Sequence, residues 1–101
     1  VVIWQDRQYF KWLFSDPNFI VALKEEWNDF KPKLSSITDE VIKVENSISQ
    51  AQKDNFKVWP ILDQYTSVGL IALGSWEAEV EYVNNFFANR STWMDNYINS
   101  L

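Results

Sequence analysis

The stretch Gly74–Leu101, GSWEAEVEYVNNFFANRSTWMDNYINSL, packs three glutamates, one arginine and six aromatic rings into 28 residues. It reads as a catalytic cluster, a ligand-binding surface or the packed face of a long helix. Spacing decides among these. Trp76, Val80, Val83, Phe87, Arg90, Met94, Tyr97 and Leu101 recur at steps of four and three. That pattern draws a narrow stripe along a helix running from Ser75 to the C-terminus, like a bundle or coiled-coil seam. Glu77, Glu79 and Glu81 fall in its first two turns, where carboxylates favour the positive end of the helix dipole. Glu77 and Glu81 share a face and have the spacing for a metal pair or an acid–base couple. The chain has no His to strengthen a metal site, so a solvated helix start is the preferred reading.

Working back from this helix, the same spacing recurs. Ile37, Val41, Val44, Ile48, Ala51 and Asn55 follow a four-three rhythm after SSITDE. Ser36 is placed to cap, Asp39 and Glu40 lie near the positive helix end, Lys53 and Lys57 near the negative end, and Pro60 closes the segment. Further upstream, SDPNF sets Asp16 as N-cap and Pro17 at the first helical position, where a missing N–H costs nothing. Ile20, Leu23, Trp27 and Phe30 then line one face until Pro32. A shorter helix over 6–14 carries Phe10, Leu13 and Phe14 on one side. Between the two long helices, residues 60–75 are too apolar for a flexible linker. An ordered connection packed on the bundle is expected there, with Gly74 turning the chain into the last helix and VGLIAL buried.

Composition bounds the function. With 101 residues the chain suffices for one modest core, and 47% hydrophobic residues exclude a disordered tail. A net charge of −5 argues against nucleic acid and against anionic membrane surfaces as partners. The absence of Cys and His removes thiolate nucleophiles, imidazole bases and the usual zinc ligands. No apolar run reaches the length of a membrane span, so no membrane insertion is expected. There is no glycine-rich phosphate loop. The opening VVIWQ lacks Met, which suggests a piece of a longer protein; Val1–Trp4 would then form a partly exposed apolar edge.

Arg90 is the one charge on the long stripe. Two readings are open: an anion contact, or a stem packed on aromatics with the head paired to a carboxylate or to a carbonyl of the 60–75 connection. The cost of an unpaired charge at a seam favours the second. Arg90, Glu79 and Asp95 accordingly form the candidate structural polar site. Six Trp invite a sugar-stacking reading, but Trp27, Trp76 and Trp93 fall on or beside apolar stripes and read as core. Trp4, Trp12 and Trp59 are the candidates for an aromatic surface. The triplet NRS at 89–91 matches a glycosylation acceptor, but its place within a helix discounts it.

Three stretches, YFKWLFSDPNFIVALKEEWNDFK, ISQAQKDNFKVWPIL and SWEAEVEYVNNFFANRSTWMD, resemble the C-terminal part of the CotH (spore-coat protein H) kinase-like family. The resemblance rests on Asp16–Pro17–Phe19, on Asn55–Phe56 with Trp59–Pro60, on Glu79–Val80 with Tyr82, and on Arg90, Trp93 and Asp95, in that order. It spans roughly residues 9–97. The family is similar to atypical protein kinases, which use ATP and divalent metal. The resemblance implies that ATP and Mg belong to an upstream part of the parent, and that this segment supports that kinase-like core. It also implies an extracytoplasmic or cell-surface parent. No catalytic, cofactor or metal residue is carried over to this chain.

The expectation is therefore an all-α chain forming a single helical domain over 1–101, with about four helices. Two are long and antiparallel, two are shorter, and an ordered loop lies around 60–75. The expected role is a non-catalytic helical subdomain of a CotH-like protein. The alternative is an independent module that binds a protein or a carbohydrate through exposed aromatics.

Overall fold

The computed structural model describes residues 7–66 and 71–101. The chain is all-α, with no strand among the described residues. Helices α1 (Gln8–Phe14), α2 (Pro17–Phe30), α3 (Ser35–Ser47), α4 (Ser49–Val58) and α5 (Trp76–Ser100) follow in order, with a 3-10 turn at Lys31–Leu34. They form two compact units. One holds α1, α2, the 3-10 turn and α5 from Ser91 onward; the other is Ser35–Arg90.

In the first unit the capping chemistry follows the sequence. Asp16 is extended (φ −90°, ψ 116°) and its carboxylate accepts from the Asn18 amide at 2.9 Å, with Pro17 at the start of α2. α1 has no side-chain cap at Arg7. An isolated helix of seven residues is too short to persist in water, so α1 depends on packing. That packing comes from its Phe14, whose ring meets Phe19 of α2 edge-on at 5.3 Å. α2 ends at Phe30, but Pro32 does not turn the chain out of helical geometry: Lys31 before it stays right-handed (φ −50°, ψ −44°) and the backbone tightens into the 3-10 turn that leads straight into α3. Phe30 itself is exposed, so the buried stripe of α2 stops one step earlier than expected.

The second unit holds the antiparallel pair. The Phe56 ring near the end of α4 lies 6.2 Å from Trp76 at the start of α5, while Ile37 and Phe87 border the same groove at the opposite end. The long third helix expected from the sequence is interrupted at Ile48 (φ −105°, ψ 10°), making α3 and α4. The local sequence explains it. Asn46, Ser47 and Ser49, all weak helix formers, surround a β-branched residue; the Val44 carbonyl accepts from both the Ser47 hydroxyl at 2.7 Å and the Ile48 amide at 3.1 Å, so the interruption is a local loosening within a continuing run of helical bonds. α3 starts at Ser35 straight from the 3-10 turn, so Ser36 lies inside the helix rather than ahead of it.

The connection to α5 is ordered where it is described. Trp59 leaves the helical region before Pro60 (φ −123°, ψ 83°), and the Gly74 amide donates to the Leu62 carbonyl at 2.9 Å, tying the two ends of the connection together. Gly74 has φ 84°, the left-handed conformation that makes glycine the natural residue there. Ser75 then caps α5 by accepting from the Ala78 amide at 3.1 Å. Residues 68–70 of the expected buried VGLIAL segment, and the Val1–Trp4 edge, lie outside the described residues; Ile71 and Ala72 are exposed and only Leu73 is half-buried, which corrects the expected burial of the segment where it is described.

The covered faces of α3, α4 and α5 depart from a strict four-three stripe. Along α3 and α4 the covered positions are Ile37, Val41, Glu45, Ser49, Gln52 and Phe56, whereas Val44, Ile48, Ala51 and Asn55 are exposed. Along α5 the inward set moves from Phe87 to Ser91, Met94 and Ile98. Arg90 is exposed, which corrects its placement on a buried seam. The cause is geometric. A four-three rhythm averages 3.5 residues per turn, an α-helix has 3.6, and the stripe slips by about 20° per heptad unless the helices supercoil.

A polar clamp and an open groove

Asp95 gathers three side chains, two of them from the distant α2 segment. Its Oδ1 accepts from the Trp27 indole Nε1 at 2.9 Å and from Asn99 Nδ2 at 3.0 Å, and its Oδ2 accepts from Lys31 Nζ at 2.6 Å. Asn99 Nδ2 also donates to the Asp95 backbone carbonyl at 2.9 Å, and Lys24 Nζ donates to the Asn99 carbonyl at 3.4 Å. Lys24, Trp27 and Lys31 sit at steps of three and four on one side of α2 and its 3-10 extension, so they meet the last turns of α5 together. A lysine at a helix C-terminus also answers carbonyls that the helix leaves without partners. The Lys31 ammonium and the Trp27 indole hold the Asp95 carboxyl below its ordinary value near 3.8, with a smaller contribution from Asn99 and some opposition from partial burial. Trp27 and Ile98 are the buried hydrophobic side chains among the described residues, so the core sits in this unit.

The second unit is built differently. A groove of about 540 Å³ lies between α3 and the first half of α5. Ile37, Val41, Val44 and Ile48 form one wall. Trp76, Val80, Val83 and Phe87 form the other. Glu40, Glu45 and Glu79 stand among them. Val44 is 53% exposed and Val83 is 40% exposed, although both lie on the apolar stripes. The Trp76 indole N–H and the Asn84 side-chain oxygen are buried with no hydrogen-bond partner among the described residues. The seam-like spacing seen in the sequence is therefore present, but its walls stand apart and face a shared cavity.

The candidate residues from the sequence separate accordingly. Asp95 belongs to the clamp with α2, Glu79 borders the groove, and Arg90 is exposed. Glu79 and Asp95 lie sixteen residues apart on α5, roughly 24 Å at 1.5 Å per residue, so they do not share one polar site. The partners of Asp95, Trp27 and Lys31, were missed. Their signal was the three-four spacing of Lys24, Trp27 and Lys31, with an indole N–H that needs an acceptor when buried. Trp12 is 64% exposed and Trp59 is 63% exposed, while Trp27 is buried and Trp76 and Trp93 are half-buried. Trp4 lies outside the described residues. Glu77 and Glu81 are both exposed, and no group of three or more carboxylates among the described residues is gathered to hold a metal ion. No helix among the described residues is long and apolar enough to cross a membrane. Comparison with protein-family models, with curated proteins and with solved structures gives no match.

Proposed function

We propose that this chain is a non-catalytic helical segment whose open apolar surfaces are completed by another protein surface, namely the kinase-like core of a CotH-like parent. The observation that carries the docking role is the apolar groove of the second unit, with valines left open on both walls. Large contiguous apolar surfaces on soluble proteins mark interaction sites. The ordered motifs from Asp16–Pro17 to Arg90, Trp93 and Asp95 supply the family context. In this reading ATP and Mg belong to the upstream core. The chain alone neither binds nor hydrolyses ATP, which titration calorimetry with ATP and Mg checks. The parent reading frame provides the decisive test. A nucleotide-binding region encoded upstream, expressed separately, should co-purify with this chain. An upstream sequence without phosphate-positioning and metal-binding motifs overturns the reading.

A second reading is supported by Trp12 and Trp59, each well exposed on its own unit. In it the chain is an independent module that takes a protein or a carbohydrate on its aromatic side chains. Replacing Trp12 and Trp59 by Ala would then abolish binding to glycans on an array, whereas the first reading expects no glycan signal.

A further inference from the structure

The groove of the second unit carries a more specific assignment, which rests on the reading that this chain works by docking to protein. Its two walls have the same rhythm. Ile37, Val41 and Val44 on α3 and Ile48 at the break after it are spaced four, three and four. Trp76, Val80, Val83 and Phe87 repeat that spacing along α5. Each wall is thus a row of knobs about three turns long, or roughly 16 Å at 1.5 Å per residue. Two antiparallel helices that present matching seam rows toward a common cavity lack one partner to interdigitate with both. An amphipathic helix with anchors at the same spacing fits that need, the general mode by which apolar grooves take peptide helices.

The charges select which helix. Three glutamates border the groove, and no lysine or arginine is among the residues that line it. Glu40 is exposed and shares its charge with Lys43 at 3.3 Å. Glu45 on α3 and Glu79 on α5 are half-buried, and neither carboxylate has a hydrogen-bond or ion-pair partner among the described residues. Carboxylates left without cations on both walls of an apolar groove are complementary to Lys or Arg on the flanks of an incoming helix. A second copy of this chain is disfavoured, because it would set glutamate against glutamate. An anionic lipid headgroup meets the same repulsion, and a sugar finds mainly aliphatic walls. We propose that the α3–α5 groove is the docking site for a basic amphipathic helix of about three turns, its apolar anchors between the valine rows and its Lys or Arg side chains on Glu45 and Glu79.

The test uses the whole 101-residue chain. The probe is a synthetic helical peptide of about 14 residues, with Leu at four-three-four spacing and Lys on both flanks. A matched peptide carries Glu in place of Lys. Calorimetry or amide chemical shifts should show the Lys peptide binding at least about tenfold more tightly than the Glu peptide, and more weakly as salt rises. The double variant Glu45→Lys, Glu79→Lys should invert that preference. Val44→Glu, at a position open enough to leave the helical circular dichroism unchanged, should remove binding. A silent Lys peptide, equal binding of both peptides, or Val44→Glu binding like the parent chain overturns the assignment. Failure of the upstream core to co-purify, with the Lys peptide still binding, removes the CotH-like reading and leaves the groove assignment standing.

Discussion

At its C-terminal end α5 offers Asp95 to the indole of Trp27 and the ammonium of Lys31, and this unit contains the buried side chains Trp27 and Ile98. Along its first turns the same helix presents Trp76, Val80 and Val83 to an open groove, with the Trp76 N–H unanswered among the described residues. Both ends are amphipathic and both face helices with apolar stripes. They differ in what spans the gap. One large aromatic with a polar edge, matched to a carboxylate, fills space and satisfies its own N–H at once. Rows of valine and isoleucine are short, and without supercoiling their 3.5-residue rhythm drifts away from the facing helix. The clamp therefore closes on itself, while the groove stays open.

Substitution of Trp27 is the most direct way to break the closed region. Trp27→Ala removes the larger of the two buried side chains among the described residues together with the indole donor, and should cost about 3–5 kcal/mol by urea denaturation. A loss below about 1 kcal/mol would mean that the first unit is no better packed than the second. Asp95→Ala should destabilise less than Trp27→Ala, since it removes only the polar side of the contact. The acid limb of stability sharpens this point. The folded-state pKa of Asp95 is depressed, so its contribution is complete above the unfolded value near 3.8 and is lost as pH falls below that through the folded value. The gap in stability between the parent and Asp95→Ala should accordingly narrow as pH drops below about 4, by melting at a series of pH values.

Gly74 tests the turn that leads into the open region. A Cβ built there meets nothing within 4 Å, so Gly74→Ala should cost only the backbone penalty of φ 84°, about 1 kcal/mol. A neutral result would show the turn relaxing to negative φ. The smallest effect is expected in the groove itself. Val44→Ser should change stability by less than about 0.5 kcal/mol, because the side chain is already largely in water. A loss comparable to that of Trp27→Ala would show that the groove closes in solution and that the two regions are alike.

Local chemistry was legible throughout the sequence. Asp16 before Pro17, Pro32, Pro60, Gly74 and Ser75 mark turns and helix ends because capping and φ preference act within a few residues. The apolar stripes identified α2, α3 and α5 for the same reason. The break at Ile48 was less visible, since a four-three rhythm runs unbroken through it and the backbone hydrogen bonds on either side are kept.

The sequence by itself determined that the chain is helical, where most helices begin and end, and that one side of each is apolar. Only the tertiary structure decided which of those apolar sides are covered. It moved the inward position from Arg90 to Ser91, gave Asp95 to Trp27 and Lys31, and left Val44 and Val83 bordering a groove. Periodicity reports a direction around one helix axis. Burial depends on the distance and angle to a second helix, and a 0.1-residue difference per turn between stripe and helix is enough to carry a side chain from contact into water.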